Sequence, residues 1–414
     1  MSSTATVDER VPDHVPRHLV KTFDFLTELG DRPQEAISRL HEGPPIFFTP
    51  RRHNPFGDAQ GEWVVIRADD VSEVMSKPEV FSSLPQGDFM RTIGEVAPLL
   101  PLELDPPDHV KFRTLLDPLF SPKRILELES KIRAHCGEIL EKFESNGKCE
   151  FMKEFADLFP TGVFIDLLGL PKERLVEFRS WNQSFIHGET PEARLSAVKK
   201  ILEYFRELFK ERRVSPTQDM VQYIMEQQID GRSITESELA GVCFLLFAAG
   251  LDTIVNSLTF VFRHLAENQD VQAALRRAPE KIPRYVEEMM RLTSLVTTQR
   301  VATMDTELGG VAIKKGDYLA ISFTAASRDP ARFPNPDVFD IDRPPKAHFA
   351  FGNGIHRCIG AQLARRDVAI AIEEWFKRVP TFFIDRSFEI KAVGGGVLAL
   401  TNLNLSWTVP QSNA

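Results

Sequence analysis

The sequence predicts a mainly α fold with small β-sheets, organised as one large domain. Three features carry this reading. Amphipathic segments dominate residues 109 to 281. Among them, TESELAGVCFLLFAAGLDTIVNSLTFVFRHLAEN (235–268) has no proline and is apolar on most faces, as a helix through the centre of a molecule must be. Strand-like runs are short and lie near the two ends of the chain.

Residues 1–30, opening MSSTATVDERVPDHVPRHLV, read as a flexible polar lead-in without the apolar core of a signal peptide or membrane anchor. A single domain then spans 31–414. In its mixed part, 31–108, IFFTP and GEWVVIRA predict two strands around the turn HNPFGDAQG, and ADDVSEVMSKP predicts a short helix stopped by Pro78. Residues 81–107 have no period and carry prolines at 85, 98, 101, 106 and 107. A long irregular loop inside a compact fold is usually functional.

Residues 109–293 predict a helical core. SPKRILELESKIRAHCGEILEKFESNG begins at a Ser-Pro cap and ends at Gly147. Amphipathic stretches follow at 172–185 and 193–213. Thr235 and Glu238 then form a capping box at the head of the central helix. Its longest uncharged run, 239–251, is shorter than the ~18 residues a membrane span needs, so it reads as buried core. In 294–414, RVATMDTELGGVAIKKGDYLAISF alternates strands with glycine turns, and 324–358 is mostly loop. IGAQLARRDVAIAIEEWFKRVP returns to helix, and the chain from Phe382 to Trp407 reads as hairpins.

Composition narrows the function. The 414 residues carry 50 Lys and Arg against 59 Asp and Glu, a net charge of −9, which argues against nucleic-acid binding. Four well-separated cysteines make neither a zinc ribbon nor a disulfide scaffold, and a reducing cytoplasm fits them. The aromatic residues are lopsided: 31 Phe against 4 Tyr and 4 Trp.

Three groups of residues suggest chemistry. In FGNGIHRCIG (351–360), glycines frame Cys358 just before a helix. A thiolate that binds metal needs positive surroundings and backbone N–H donors, which a helix N-terminus and a curled glycine loop supply. Alone, a single cysteine is more often a small buried hydrophobe. Ala249-Gly250-Leu251-Asp252-Thr253 places an acid and a hydroxyl in an apolar helix. The plain reading is Thr253 bonding back to the Ala249 carbonyl, and the functional one is a proton-handling pair beside a cavity. Glu288 and Arg291 lie one turn apart, a spacing that on a surface is worth only ~0.2–0.5 kcal/mol.

Together these motifs resemble the cytochrome P450 family, with the finer resemblance to soluble bacterial enzymes of the camphor hydroxylase group. The match covers Phe351, Gly354, Cys358 and Gly360 in the cysteine loop, Ala-Gly-x-Asp-Thr at 249–253, Glu288 with Arg291, and Arg343 as their third partner, in family order. The resemblance implies the triangular, helix-rich P450 fold and the reaction RH + O₂ + 2e⁻ + 2H⁺ → ROH + H₂O. It implies haem b on the Cys358 thiolate, a ligand that favours O–O cleavage. Phe351 would pack near the sulfur, with Gly352 and Gly360 lining the cofactor loop. His109, Arg113, Arg300 and His356 would meet the propionates. Asp252 and Thr253 would deliver protons.

The candidate substrate contacts are Phe89, Leu245, Ala248, Ala249, Val296 and Val397, all apolar. The first tyrosine of the chain is Tyr204, so the irregular loop lacks the tyrosine that anchors camphor in the family's namesake. A small, mostly hydrocarbon substrate follows: a terpenoid, norisoprenoid or alkyl-aromatic. Electrons are expected from a separate two-iron ferredoxin and its reductase, docking on a basic patch of Arg113, Lys123, Arg124 and Arg357 of a monomeric cytoplasmic enzyme that binds neither nucleic acid nor membrane. Two rivals stand beside this reading. A non-catalytic haem-thiolate sensor would not need Asp252 and Thr253. A cysteine hydrolase would have to use His356 two residues from Cys358, a poor nucleophile–base geometry.

Overall fold

The computed structural model describes residues 11–25, 29–50, 61–83, 99–188 and 190–409. Its axis is the helix Glu236–Glu267, begun by the predicted box: the Glu238 N–H donates to Thr235 Oγ1, and the Glu238 carboxylate accepts from the Thr235 N–H. By length and composition this helix could cross a membrane, but 72% of its most apolar window is buried inside the protein. Helices Phe159–Leu168, Leu175–His187 and Pro191–Val214 pack along one part of it. Helix Ile282–Leu292 packs on Ala361–Arg378, which in turn packs on Pro122–Leu140.

The strands sit at the edges, as expected. A five-stranded sheet takes the spatial order Ile46–Thr49, Glu62–Val65, Tyr318–Ser322, Thr297–Ala302, Phe81–Ser82. The pairing of Tyr318–Ser322 with Glu62–Val65 is parallel, with Leu319 opposite Trp63, and the other pairings are antiparallel. Its role for the site is to hold Thr297–Ala302, and so Arg300, against the cavity. A second sheet joins Phe382–Ile384, Asn404–Trp407 and Lys148–Glu150.

Most of the phenylalanine excess is core. Phe143, Phe151, Phe155, Phe262 and Phe382 ring Trp375 at centroid distances of 5.1–5.7 Å, in offset and edge-on arrangements that ring quadrupoles favour.

The lead-in reading needs correction. From residue 11 the chain is anchored: Val11, Val15, Phe23, Phe25 and Leu29 are buried. The Lys21 N–H donates to the Phe48 carbonyl, and the Gly395 N–H to the Phe25 carbonyl. These apolar residues lie among prolines without helix or strand period, which hid them. Of the irregular loop, residues 84–98 lie outside the described residues, and Phe89 with them.

Candidate active site

A cavity of about 350 Å³ lies against the middle of the central helix and reaches the cysteine loop. The helix opens one stripe to it: Leu245, Leu246, Ala249, Gly250, Thr253, Ile254 and Ser257, the i, i+3, i+4 spacing of one face. Ala249 is exposed although it sits at the centre of a buried helix, because its methyl faces this space. Gly250 is required by its neighbour, since a Cβ there would stand 2.4 Å from Phe164 Cε1.

Two of the three cysteine-loop glycines show why that motif is local. Gly352 and Gly354 have φ of +69° and +65°, a region disfavoured for residues with a Cβ. A Cβ on Gly354 would also meet the Met75 carbonyl oxygen at 2.1 Å. The turn lets the Cys358 N–H donate to the Phe351 carbonyl at 2.8 Å. Cys358 alone among the four cysteines lines the cavity; its exposed surface opens into that enclosed space and not to bulk water. Burial pushes its thiol up, opposed by the Gly360 N–H and by Arg113, Arg365 and Arg357. Cys136, Cys149 and Cys243 are buried and pushed well above the ordinary thiol range, so they are inert packing. Arg365 lies over the Phe351 ring, 4.3 Å from its centroid, and Glu287 accepts from Arg365 Nε and Nη2 at 2.6 and 2.9 Å.

A cationic cluster forms one end of the cavity. His109 and Arg300 are each 2% exposed, and the His109 ring lies 4.3 Å from that of His356. Neither ring nitrogen of His109 has a hydrogen-bond partner. Arg300 donates to the Gln299 carbonyl, and no carboxylate pairs with it among the described residues. Burial depresses all three, His109 to about 4, His356 to about 3 and Arg300 to about 10. Arg113 is already engaged, donating to Asp117 at 2.8 Å and to the Arg357 carbonyl at 2.7 Å. Depressed so far, the two imidazoles are neutral N–H donors while Arg300 keeps a charge without an anion, and such a set fits a dianionic group carrying two carboxylates. The residues present therefore suit a haem with its propionates here and its iron toward the thiol.

The acid and the hydroxyl, adjacent in sequence, separate in space. Thr253 lines the cavity and donates to the Ala249 carbonyl at 2.9 Å, as the plain reading has it. Asp252 is 1% exposed and turns into the protein. Its Oδ1 accepts from Arg179 Nη1 at 2.9 Å; its Oδ2 accepts from His187 Nε2 at 3.1 Å and Asn256 Nδ2 at 2.9 Å. Burial alone would raise this carboxyl, but His187 and Arg179 outweigh it and hold it below the ordinary aspartate range. Arg179 also donates to Asp157 Oδ1 at 2.7 Å. Asp157, with that one charged partner, is raised by burial, whereas Asp252 with three donors is lowered. Arg179 and His187 went unnoticed in the sequence. They lie 65 to 73 residues from Asp252, and their only local signal is a shared face of one helix, eight residues apart.

Of the other predicted contacts, Leu245, Ala249 and Val296 line the cavity. Ala248 does not: one residue of helical turn puts its side chain in the core, and its carbonyl accepts from Asn182 Nδ2. Val397 does not either; it forms an antiparallel bridge with Val296 and packs against the main core. Phe164, Leu246, Ile254 and Leu295 complete the wall and were missed. Glu288, Arg291 and Arg343 do meet. Glu288 Oε1 accepts from Arg291 Nη2 at 2.8 Å, Arg343 Nε at 3.0 Å and the Asp340 N–H at 3.2 Å. The pair is buried, at 7% and 2% exposure, so it is no surface ion pair.

A thiol held in a glycine turn beside an apolar cavity, with an unanswered cation at one end, fits the haem-thiolate class. The comparisons agree. The family model described as Cytochrome P450 matches residues 170–378. The chain is similar to the probable cytochrome P450 127A1 of Sinorhizobium fredii, 38% identical over 405 residues, covering 96% of this chain and 97% of that one. It is similar to a linalool 8-monooxygenase of Pseudomonas putida, 30% identical over 394 residues, 90% of this chain and 95% of that one. The crystal structure of cytochrome P450 CYP101C1 superposes with a TM-score of 0.86 at 28% identity, over 96% of this chain and 100% of that one. This chain belongs to the cytochrome P450 family. It is an oxidoreductase of the monooxygenase type, and its cofactor is haem b held through a cysteine thiolate.

Proposed function

We propose that the enzyme inserts one atom of dioxygen into a C–H or C=C bond of a small apolar substrate, using electrons from a separate two-iron ferredoxin and its reductase. The observation that carries this reading is the cavity itself, apolar-walled and shared by Cys358 and Thr253. Haem b, when bound, supplies the activation of dioxygen. Cys358 would hold its iron through the thiolate, and His109, Arg300 and His356, with Arg113, would answer its propionates. Phe351 and the glycine turn hold the thiolate. Glu288, Arg291 and Arg343 hold the segment that leads into it. Leu245, Ala249 and Val296 exclude water and orient the substrate by shape. Thr253 presents a hydroxyl to the reacting end of the cavity, and Asp252 brings protons to it.

An apolar substrate is supported by the wall, where Leu245, Ala249, Leu295 and Val296 face the space. The similarity to a linalool 8-monooxygenase favours a terpenoid. A cytoplasmic location agrees with four unpaired cysteines.

The test is spectroscopic and then kinetic. The reduced, CO-treated protein should show the red-shifted Soret band of thiolate ligation, and Cys358→Ser should abolish it. Thr253→Ala should keep that band and dioxygen consumption yet lower product per dioxygen about tenfold. Unchanged product yield would sink the role given to Thr253. A spectral-shift screen should rank small terpenoids and alkyl-aromatics above camphor.

A further inference from the structure

We infer that His187 is the residue through which Asp252 receives protons from solvent. The inference rests on the proposed proton delivery by Asp252 and Thr253 and adds its outer end. Among the described residues Asp252 has three side-chain partners, and they differ in what they can do. Arg179 is buried, at 7% side-chain exposure, and a guanidinium does not give up its proton in proteins. Asn256 is 1% exposed and does not titrate. His187 is 23% exposed at its side chain and places Nε2 3.1 Å from Asp252 Oδ2. Of these three it is therefore the one that both reaches water and carries a ring proton that can be given up and regained.

His187 is the last residue of helix Leu175–His187, and a helix C-terminus stabilises a cation. The charged groups around it are Asp252 on the central helix, Arg179 on its own helix, Asp157 behind Arg179, and Arg194. Arg194 donates to the Ile186 and Gly188 carbonyls and fixes the turn that carries the ring. In the transfer, the Nε2 proton passes to Oδ2. The imidazolium becomes neutral imidazole, the carboxylate becomes a carboxylic acid, and solvent returns a proton to the ring. The neutral acid weakens its hold on Arg179, which keeps Asp157 as a partner.

The experiment is product formed per dioxygen consumed by the holoenzyme from about pH 6 to about pH 9, for wild type, His187→Gln and Asp252→Asn. Wild-type yield should fall as pH rises and the ring loses its proton. His187→Gln should start about tenfold lower at acid pH and stay flat. An impaired Asp252→Asn beside a His187→Gln that keeps the wild-type profile overturns the inference and leaves the relay standing. Wild-type behaviour in both variants removes the relay itself. A second readout needs neither turnover nor the Gln variant: the ¹⁵N titration of the His187 ring in the diamagnetic ferrous-CO protein. Asp252→Asn should move it to lower pH, and an unmoved titration overturns the coupling.

Discussion

At the scale of single residues, Arg179 decides whether two aspartates can be buried. Its guanidinium spans Asp157 and Asp252, both removed from solvent. Removing a cation from such a group leaves uncompensated buried charge, a loss of about 3–5 kcal/mol. Arg179→Leu should therefore lower stability by about that amount at neutral pH. The sign with pH follows from the carboxyls. Asp252 is held below its ordinary range, so its contribution is full above the unfolded value and is lost as pH falls through the lower folded one. Asp157 is raised even with Arg179 present. Without the arginine Asp252 rises from its lowered value and Asp157 rises further, so protons are taken up at higher pH and relieve the unpaired charge. The gap between wild type and Arg179→Leu, read from urea midpoints, should then shrink between neutral pH and pH of about 5. A gap that widened in acid would rule out this account.

At the scale of elements, the central helix is where local and distant information divide. Its start and its burial, with Leu245, Ala249 and Thr253 of its cavity stripe, were legible because capping chemistry and 3.6-residue periodicity are written in adjacent residues. The cysteine loop was legible for the same reason, since Gly352 and Gly354 answer to their own φ. Arg179 and His187 were not, because the helix that carries them meets Asp252 only after folding, and Ala248 was misplaced by one residue of helical rotation. The same helix supports a prediction on cavity size. Gly250 faces the Phe164 ring so closely that a methyl needs the ring to move, and Phe164 is itself cavity wall. Gly250→Ala should push that ring into the space. Overpacking costs about 1–3 kcal/mol, so the variant should fold with reduced stability and lose affinity for its bulkier ligands more than for its smaller ones. Equal loss across a size series, read by spectral titration, would place Phe164 outside the substrate space.

At the scale of the whole molecule, the net charge of −9 bears on the proposed electron donor, taken as an acidic ferredoxin. A uniformly negative surface repels such a partner, so a local basic face must carry the encounter. The structure thins the expected patch. Arg113 pairs with Asp117, and Arg124 with Glu127. Lys123 and Arg357 are exposed, and beside Lys123 on the same helix Leu126 is 69% exposed, an apolar group available for contact. The proposed docking therefore rests on few charges around a small apolar centre, an arrangement in which rim charges govern approach more than holding. Lys123→Glu should slow reduction of the enzyme by a two-iron ferredoxin several-fold at low salt and flatten the decline of that rate with ionic strength. Lys210→Glu, which changes the net charge equally on the helix Pro191–Val214, should leave both nearly unchanged. Stopped-flow reduction across a salt series separates the two. If both variants slow equally, total charge and not this face steers the donor, and the docking surface lies elsewhere.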